Sequence, residues 1–351
     1  IHRSETEQFL TEEGLCNSAA KLVDKGTILY ALYGATSGEV DIAKLSGAIN
    51  QAILAIIPNR NVDKYFLKEQ LLYKKQYIVN TFLQGGQGNL SSAIVNNINI
   101  SLPSFPEQQS IATFFRTLDN KIQTTSKKLA SLKKLKSASL VAMFPQNGES
   151  KPKVRFNGFE GEWSKVELCS ISKKVTNRNM DMQYTTTLTN SAEHGIIDQL
   201  AFFDHPVSNN DNISGYYVVE NGDFVYNPRI SALAPVGPIN QNQIGYTGVM
   251  SPLYYVFRVD GVDTDYLSYY FKTTLWHQYL KDVGNSGARF DRLAITDSDF
   301  QKMPIYLPTN REEQQAIATF FRYTDRKIAL ETARLEKLKQ IKLACLDKMF
   351  V

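Results

Sequence analysis

A 38-residue segment occurs twice in this chain, 206 residues apart, with 20 of its 38 positions identical. Residues 107–144 read EQQSIATFFRTLDNKIQTTSKKLASLKKLKSASLVAMF and residues 313–350 read EQQAIATFFRYTDRKIALETARLEKLKQIKLACLDKMF. Copies this close are one structural unit used twice. Neither contains Pro or Gly, and both are rich in Lys, Leu, Ala and Ile, which predicts helix. Apolar residues recur at three-and-four spacing: Phe115, Leu118, Ile122, Leu129, Leu132 and Met143, then Phe321, Ile328, Leu335, Leu338, Cys345 and Met349. Thr125, Lys136, Glu331 and Lys342 interrupt the stripe. About 34 residues at 1.5 Å each make a helix of roughly 50 Å. So long and narrow a stripe needs another helix to bury it, and the other copy is the obvious candidate; a solvated spacer helix is the alternative. Pro103, Pro106, Pro145 and Pro308 mark the helix boundaries.

The rest of the chain repeats more faintly. Val23-Asp24-Lys25-Gly26-Thr27-Ile28-Leu29-Tyr30 parallels Val219-Glu220-Asn221-Gly222-Asp223-Phe224-Val225-Tyr226. In each, a Gly turn feeds an apolar stretch ending in Tyr, which predicts a short strand after a tight turn. Helical segments are expected over about 63–80 and 263–281, each followed by a polar Gly-rich loop at 85–89 and 284–289. The order is globular, helix, globular, helix. The second globular unit opens with PKVRFNGFEGEW at 152–163, for which the first has no counterpart. The fainter match of Val23 to Val219 lies 196 residues apart, and at that offset Ile1 aligns with Ile197, so about 45 residues of the first unit are expected to be missing through truncation or processing.

Charge is unevenly spread. Lys plus Arg against Asp plus Glu is nine to nine over 1–104, seven to three over 105–149, fourteen to seventeen over 150–307 and nine to six over 308–351. The excess sits on the helices, at Lys121, Lys127, Lys128, Lys133, Lys134 and Lys136, where a solvated face is the simplest reading. Near-neutral globular units are poor non-specific DNA binders, because phosphate neutralisation supplies most of that affinity. No apolar run approaches the about 18–20 residues of a membrane span. Cys16, Cys169 and Cys345 share no metal or disulfide spacing, which fits a reducing cytoplasm.

No catalytic constellation emerges. His2, His194, His205 and His277 stand apart from one another and from the cysteines. Asn227-Pro228-Arg229-Ile230 lacks the second Pro and the aromatic of an amino-methyltransferase motif and reads as a turn. The glycines at 85–88 lack the GxxxxGK[ST] of a phosphate cradle.

The PKVRFNGFEGEW opening, the EQQ(S/A)IATFFR helix starts that follow Leu102-Pro103 and Leu307-Pro308, and the doubled globular-helix order resemble the specificity subunit of type I restriction-modification systems. GTILYALYGATSG at 26–38 and GAINQ at 47–51 also look like target-recognition sequence of that family. The resemblance covers essentially the whole chain. It implies an α+β fold: two mixed α/β target recognition domains separated by two long antiparallel, coiled-coil-like helices in a pseudo-two-fold repeat. The expected divisions are 1–104 and 150–308 for the recognition domains and 105–146 and 309–351 for the helix repeats. Each domain would read half of a split double-stranded DNA site. A helix near 50 Å would leave an unread spacer within roughly 15 base pairs at about 3.4 Å each. The helices would also dock two methyltransferase subunits carrying S-adenosylmethionine, and a restriction and translocase subunit using ATP and Mg2+ would join them. The chain itself would be a non-catalytic cytoplasmic subunit binding no cofactor or metal, with no membrane association. The incomplete first domain raises self-association, or completion by another chain.

Arg suits guanine and Asn or Gln suits adenine. Strand ends and Gly-rich loops therefore nominate Tyr33, Gln87 and Asn89 in the first domain, and Arg178, Tyr226, Arg229, Arg289 and Arg292 in the second. For the helix and partner interface the candidates are Phe114, Phe115, Leu129 and Leu132 with Phe320, Phe321, Leu335 and Leu338; the Phe pairs could equally pack on their own recognition domains. Two other classes remain open: a stand-alone nucleic-acid enzyme, and a coiled-coil adaptor without a DNA role.

Overall fold

The computed structural model describes residues 9–83, 89–146, 148–202, 210–285 and 291–350. It contains two long helices, Phe105–Ala142 and Arg311–Met349. Pro106 lies in the first turn of its helix, where a missing N–H costs nothing. The chain divides into two compact units inside these helices, one comprising residues up to Ala130 and from Ala329 on, the other Ser131–Ile328.

In the first unit, β1 (Lys21–Val23) pairs with β4 (Gly47–Ile49), while β2 (Ile28–Ala31) is central between β3 (Val40–Ile42) and β5 (Ile53–Ile56), all antiparallel. Gly26, at φ 89°, makes the turn into β2 that a residue with a Cβ would resist. Asp63 caps the helix Lys64–Phe82 by accepting the Tyr65 and Phe66 amides. Leu67, Leu71 and Ile78 of that helix pack on Ile28, Tyr30 and Val40 of the sheet. Phe66 turns the other way and joins Ala112, Phe115 and Leu346 of the long helices and Phe350 just past the second. Phe115 stacks on Phe350 at 5.8 Å, whereas further along Lys128 reaches Glu331 at 2.5 Å, so the two helix segments run antiparallel.

The second unit is larger. It comprises β6 (Ser164–Glu167), β7 (Ser172–Lys174), β8 (Leu188–Ser191), β9 (Gly195–Asp198), β10 (Tyr217–Val219), β11 (Phe224–Tyr226), β12 (Ile239–Gln241), β13 (Gly248–Met250), β14 (Tyr255–Val259) and β15 (Pro304–Leu307). The sheet order is β12-β11-β14-β7, with separate pairs β10–β13, β8–β9 and β15–β6. As in β2, a positive-φ glycine, Gly222, feeds the central strand β11. The helix expected over 263–281 is broken into Thr264–Tyr270 and His277–Val283: the Thr273 hydroxyl takes the Tyr270 carbonyl and Trp276 turns into the core. Phe144 is fully buried among Trp163, Tyr266, Tyr270 and Phe321.

The EQQ motif has the same job in both units. Gln108 accepts the amide of the capping Asp63 and donates to the Pro103 carbonyl; Gln314 accepts the amide of Asp263 and donates to the Pro308 carbonyl. The residues interrupting the apolar stripe are equally purposeful. Lys342 pairs with Asp119 at 2.6 Å, and Lys136, at the same repeat position, pairs with Asp325 at 2.5 Å.

The two pairs differ in surroundings. Lys342 also contacts the fully buried Glu69, which is bonded to Lys68, and Tyr65 donates to Asp119 at 2.5 Å. Burial alone would raise the Asp119 carboxyl, but hydrogen bonds from Lys342 and Tyr65, with the charges of Lys68 and Lys342, hold it below its ordinary value. A depressed folded-state pKa gives stability that is present above the unfolded value of 3.8 and lost as pH falls through the folded one. Between pH 3.8 and acid unfolding, Asp119→Asn is therefore expected to flatten the fall of the first unit's urea midpoint, read by circular dichroism. An unchanged slope would mean that other carboxylates govern it.

Candidate nucleic-acid interface

A pair of facing arginines forms the clearest candidate in the second unit. Leaving β11, Asn227 accepts the Arg229 amide on its side chain and donates to the Asn190 carbonyl, which fixes the turn. Ile230 N–H then bonds Asp291 O at 2.9 Å and Leu293 N–H bonds Pro228 O at 2.9 Å, with Arg229 directly opposite Arg292 between them. That is the non-hydrogen-bonded type of antiparallel pair, in which the side chains stand closest. Like charges directly opposite one another are destabilising, and Asp291 lies 3.7 Å from Arg229. Both arginines line an open cleft of about 420 Å³ with Asn190, Asn227 and Tyr254. Such a site gains from an electron-rich group placed between the guanidiniums.

The first unit has the same arrangement with different side chains. Tyr33, just beyond β2, lies directly opposite Asn89, and Leu90 N–H bonds Leu32 O at 2.8 Å. Both residues are exposed. The two loop pairs thus match in backbone and differ in chemistry: Tyr and Asn in one, two Arg in the other.

Arg178 lies elsewhere, on the ladder opposite Tyr217; its guanidinium donates to Gly215 O at 3.1 Å and sits 5.4 Å from the Tyr217 ring. It is exposed but held in place, hence preorganised. Tyr226 is a correction. It is buried in the central strand, its hydroxyl donates to Val236 O, its ring stacks on Phe300, and burial raises its pKa. It supports the turn rather than facing solvent. Gln87 and Arg289 lie outside the described residues.

Of the helix candidates, Phe115 and Phe321 are fully buried within their own units, and Leu129 and Leu335 are buried as well. Leu132, Leu338 and Phe320 are half-buried, and Phe114 is 40% exposed. Sequence reasoning passed over Leu135 and Ile341, which occupy one repeat position and are 50% and 41% exposed. Their signal was an apolar residue off the stripe in both copies. It also missed the Arg155–Glu313 pair, bidentate at 2.6 and 2.7 Å. Among the described residues no His, Cys, Asp and Glu cluster could hold a metal ion, and no helix is long and apolar enough to cross a membrane.

Comparison with known proteins gives a consistent result. The profile of the type I restriction modification DNA specificity domain matches residues 1–134 and 165–340. The type I restriction enzyme MjaIX specificity subunit of Methanocaldococcus jannaschii is 32% identical over 129 residues, 35% of this chain and 27% of that protein. The chain thus aligns with about a quarter of that relative. The fold is similar to that of the S subunit of a type I restriction-modification system from M. genitalium, with a TM-score of 0.58, 13% identity, and 94% and 84% of the two chains covered. A chain solved in a study of complex assembly and conformational transition of the type I R-M system gives a TM-score of 0.50, 18% identity, and 95% and 84% coverage.

Proposed function

Because the chain belongs to the type I restriction modification DNA specificity domain family, we propose that it is the DNA-recognition subunit of a type I restriction-modification complex, reading a bipartite site with its two domains. The observation that carries this reading is the doubled loop pair. One backbone arrangement presents Tyr33 and Asn89 in one unit and Arg229 and Arg292 in the other. A device repeated in backbone but diverged in side chain is what two different half-sites require. Asn89 suits adenine; Arg229 and Arg292 suit guanine O6 and N7. Arg178 is a further contact on its own ladder.

Catalysis then belongs to partners. The helix repeats dock two methyltransferase subunits, which bind S-adenosylmethionine, and a restriction and translocase subunit uses ATP and Mg2+. Leu135 and Ile341, exposed at one repeat position, support a contact made twice by identical partners. Phe114, Leu132, Phe320 and Leu338 border the same helices. Three free cysteines are compatible with the cytoplasm.

The test is the methylome of cells expressing the chain with its methyltransferase. The wild type should methylate one bipartite motif. Arg229→Ala or Arg292→Ala should relax one position of one half by about 1–3 kcal/mol, or 5–150-fold, and leave the other half unchanged. Tyr33→Ala and Asn89→Ala should do the converse. Loss spread evenly over both halves would show that these residues serve folding rather than readout.

A further inference from the structure

In the second unit the turn that carries Arg229 is held by a chain of amide side chains ending in a lysine. Arg229 N–H donates to Asn227 Oδ1 at 3.0 Å, and Asn227 Nδ2 donates to the Asn190 carbonyl at 2.9 Å. Asn190 is buried, and its own Nδ2 donates to the Val225 carbonyl at 2.7 Å and the Pro238 carbonyl at 3.2 Å. Asn240, also buried, donates to Asn190 Oδ1 at 2.7 Å and to the Ser191 carbonyl at 3.2 Å. The chain ends at Lys272, whose ammonium donates to Asn240 Oδ1. Packing around the turn is close: a Cβ at Gly237 would collide with the Asn227 carbonyl.

Lys272 decides which way the amides point. An ammonium donates and cannot accept, so the oxygen of Asn240 faces it and the nitrogen faces Asn190 and Ser191. Asn190 must then offer its oxygen to Asn240, which leaves its nitrogen for the Val225 and Pro238 carbonyls. Reversing either amide would set donor against donor and oxygen against oxygen in a buried place, where an unmade bond costs the full desolvation of its group.

The first unit is built differently at the same positions. Asn240 lies opposite Val225 as Asp41 lies opposite Leu29, so Asp41 is its counterpart. Asn227 corresponds to Ala31, which has no amide to pass a bond on. Counted from the capping Asp63 and Asp263, Lys272 corresponds to Leu72. The amide chain therefore accompanies the facing pair Arg229 and Arg292, whereas the pair Tyr33 and Asn89 is presented without it. The fold does not demand the chain. Two arginines set opposite one another do, because they repel and the turn must hold them together.

We infer that Lys272 is a positioning residue for base reading by Arg229, acting through Asn240, Asn190 and Asn227. The inference rests on the proposal that the cleft of Arg229 and Arg292 reads DNA. Lys272 fixes the polarity of the amide chain, and the chain fixes the backbone from which Arg229 reaches.

The experiment takes the complex of the full chain with its methyltransferase and compares methylation of the cognate site with sites changed at one base pair. Arg229→Ala identifies the position that Arg229 reads. Lys272→Met and Asn240→Asp should relax discrimination at that same position by about fivefold or more and leave the other half-site unchanged. Asn240→Asp is nearly isosteric but cannot donate to Asn190, so it probes polarity rather than bulk. Lys272→Arg, still purely a donor, should retain discrimination. In the free chain, hydrogen exchange of the Arg229 amide should quicken in Lys272→Met and Asn240→Asp. Arg229→Ala relaxing one position while those two variants relax none would overturn the inference. So would loss spread equally over both half-sites, which assigns the chain to folding, or Lys272→Arg failing as Lys272→Met does. Should Arg229→Ala change no position, the DNA reading of the cleft fails and takes the inference with it. Unchanged exchange at the Arg229 amide would instead overturn the inference and leave that reading standing.

Discussion

Replacing Lys342 by methionine is expected to destabilise the first unit by about 3–5 kcal/mol, whereas Lys136→Met should cost the second about 0–1 kcal/mol. The two lysines occupy the same repeat position and each reaches an aspartate of the other long helix. The difference lies beneath them. Lys342 is one of two cations facing Glu69, which is fully buried, and Asp119, which is mostly so. Removing it leaves two carboxylates sharing Lys68 away from water. Lys136 and Asp325 are open enough for solvent to take over; the neighbouring Lys272 has its pKa lowered first by desolvation of its ammonium group and then by the charge of Lys136. Both tryptophans, Trp163 and Trp276, belong to the second unit. Urea unfolding followed by both fluorescence and circular dichroism therefore separates the units. Equal losses for the two variants would show that Glu69 is not the deciding group.

Phe144→Ala is expected to cost about 3–5 kcal/mol, the range for a large buried aromatic replaced by alanine. Its ring meets four others, those of Trp163, Tyr266, Tyr270 and Phe321, at 5.6–6.2 Å. The hole would open where a long helix, a recognition-domain helix and the segment bearing Trp163 converge, and rigid elements on three sides cannot collapse into it. Trp163 fluorescence should shift to the red and the fluorescence-detected midpoint should fall. A loss below about 1 kcal/mol would mean that the neighbours close the gap.

The repeat made much of the fold legible. The long helices were visible because a 38-residue run without Pro or Gly leaves no room for another element. The short strands after Gly26 and Gly222 were visible because only glycine is comfortable at those positive φ values. The break between Tyr270 and His277 was hidden, since it depends on a threonine hydroxyl and on where Trp276 finds its pocket. The facing of Arg229 and Arg292, 63 residues apart, is long-range pairing that no local pattern encodes. Tyr226 was misread because strand alternation does not say whether both faces are covered; all of β11 is buried. Lys136 and Lys342 looked like defects in a stripe, and only their partners explain them.

The division of the chain also has a consequence in time. The first unit needs residues 329–350, for Phe350 fills the space among Phe66, Tyr73 and Phe115, and Lys342 answers Asp119 and Glu69. The second unit, Ser131–Ile328, lies wholly before that segment. During synthesis, when chain leaves the ribosome N-terminus first, the unit begun first is completed last. Until the final helix emerges, Phe66, Phe115 and the buried carboxylates wait without partners. A ribosome stalled shortly after Ile328 would hold a finished second unit beside an unfinished first.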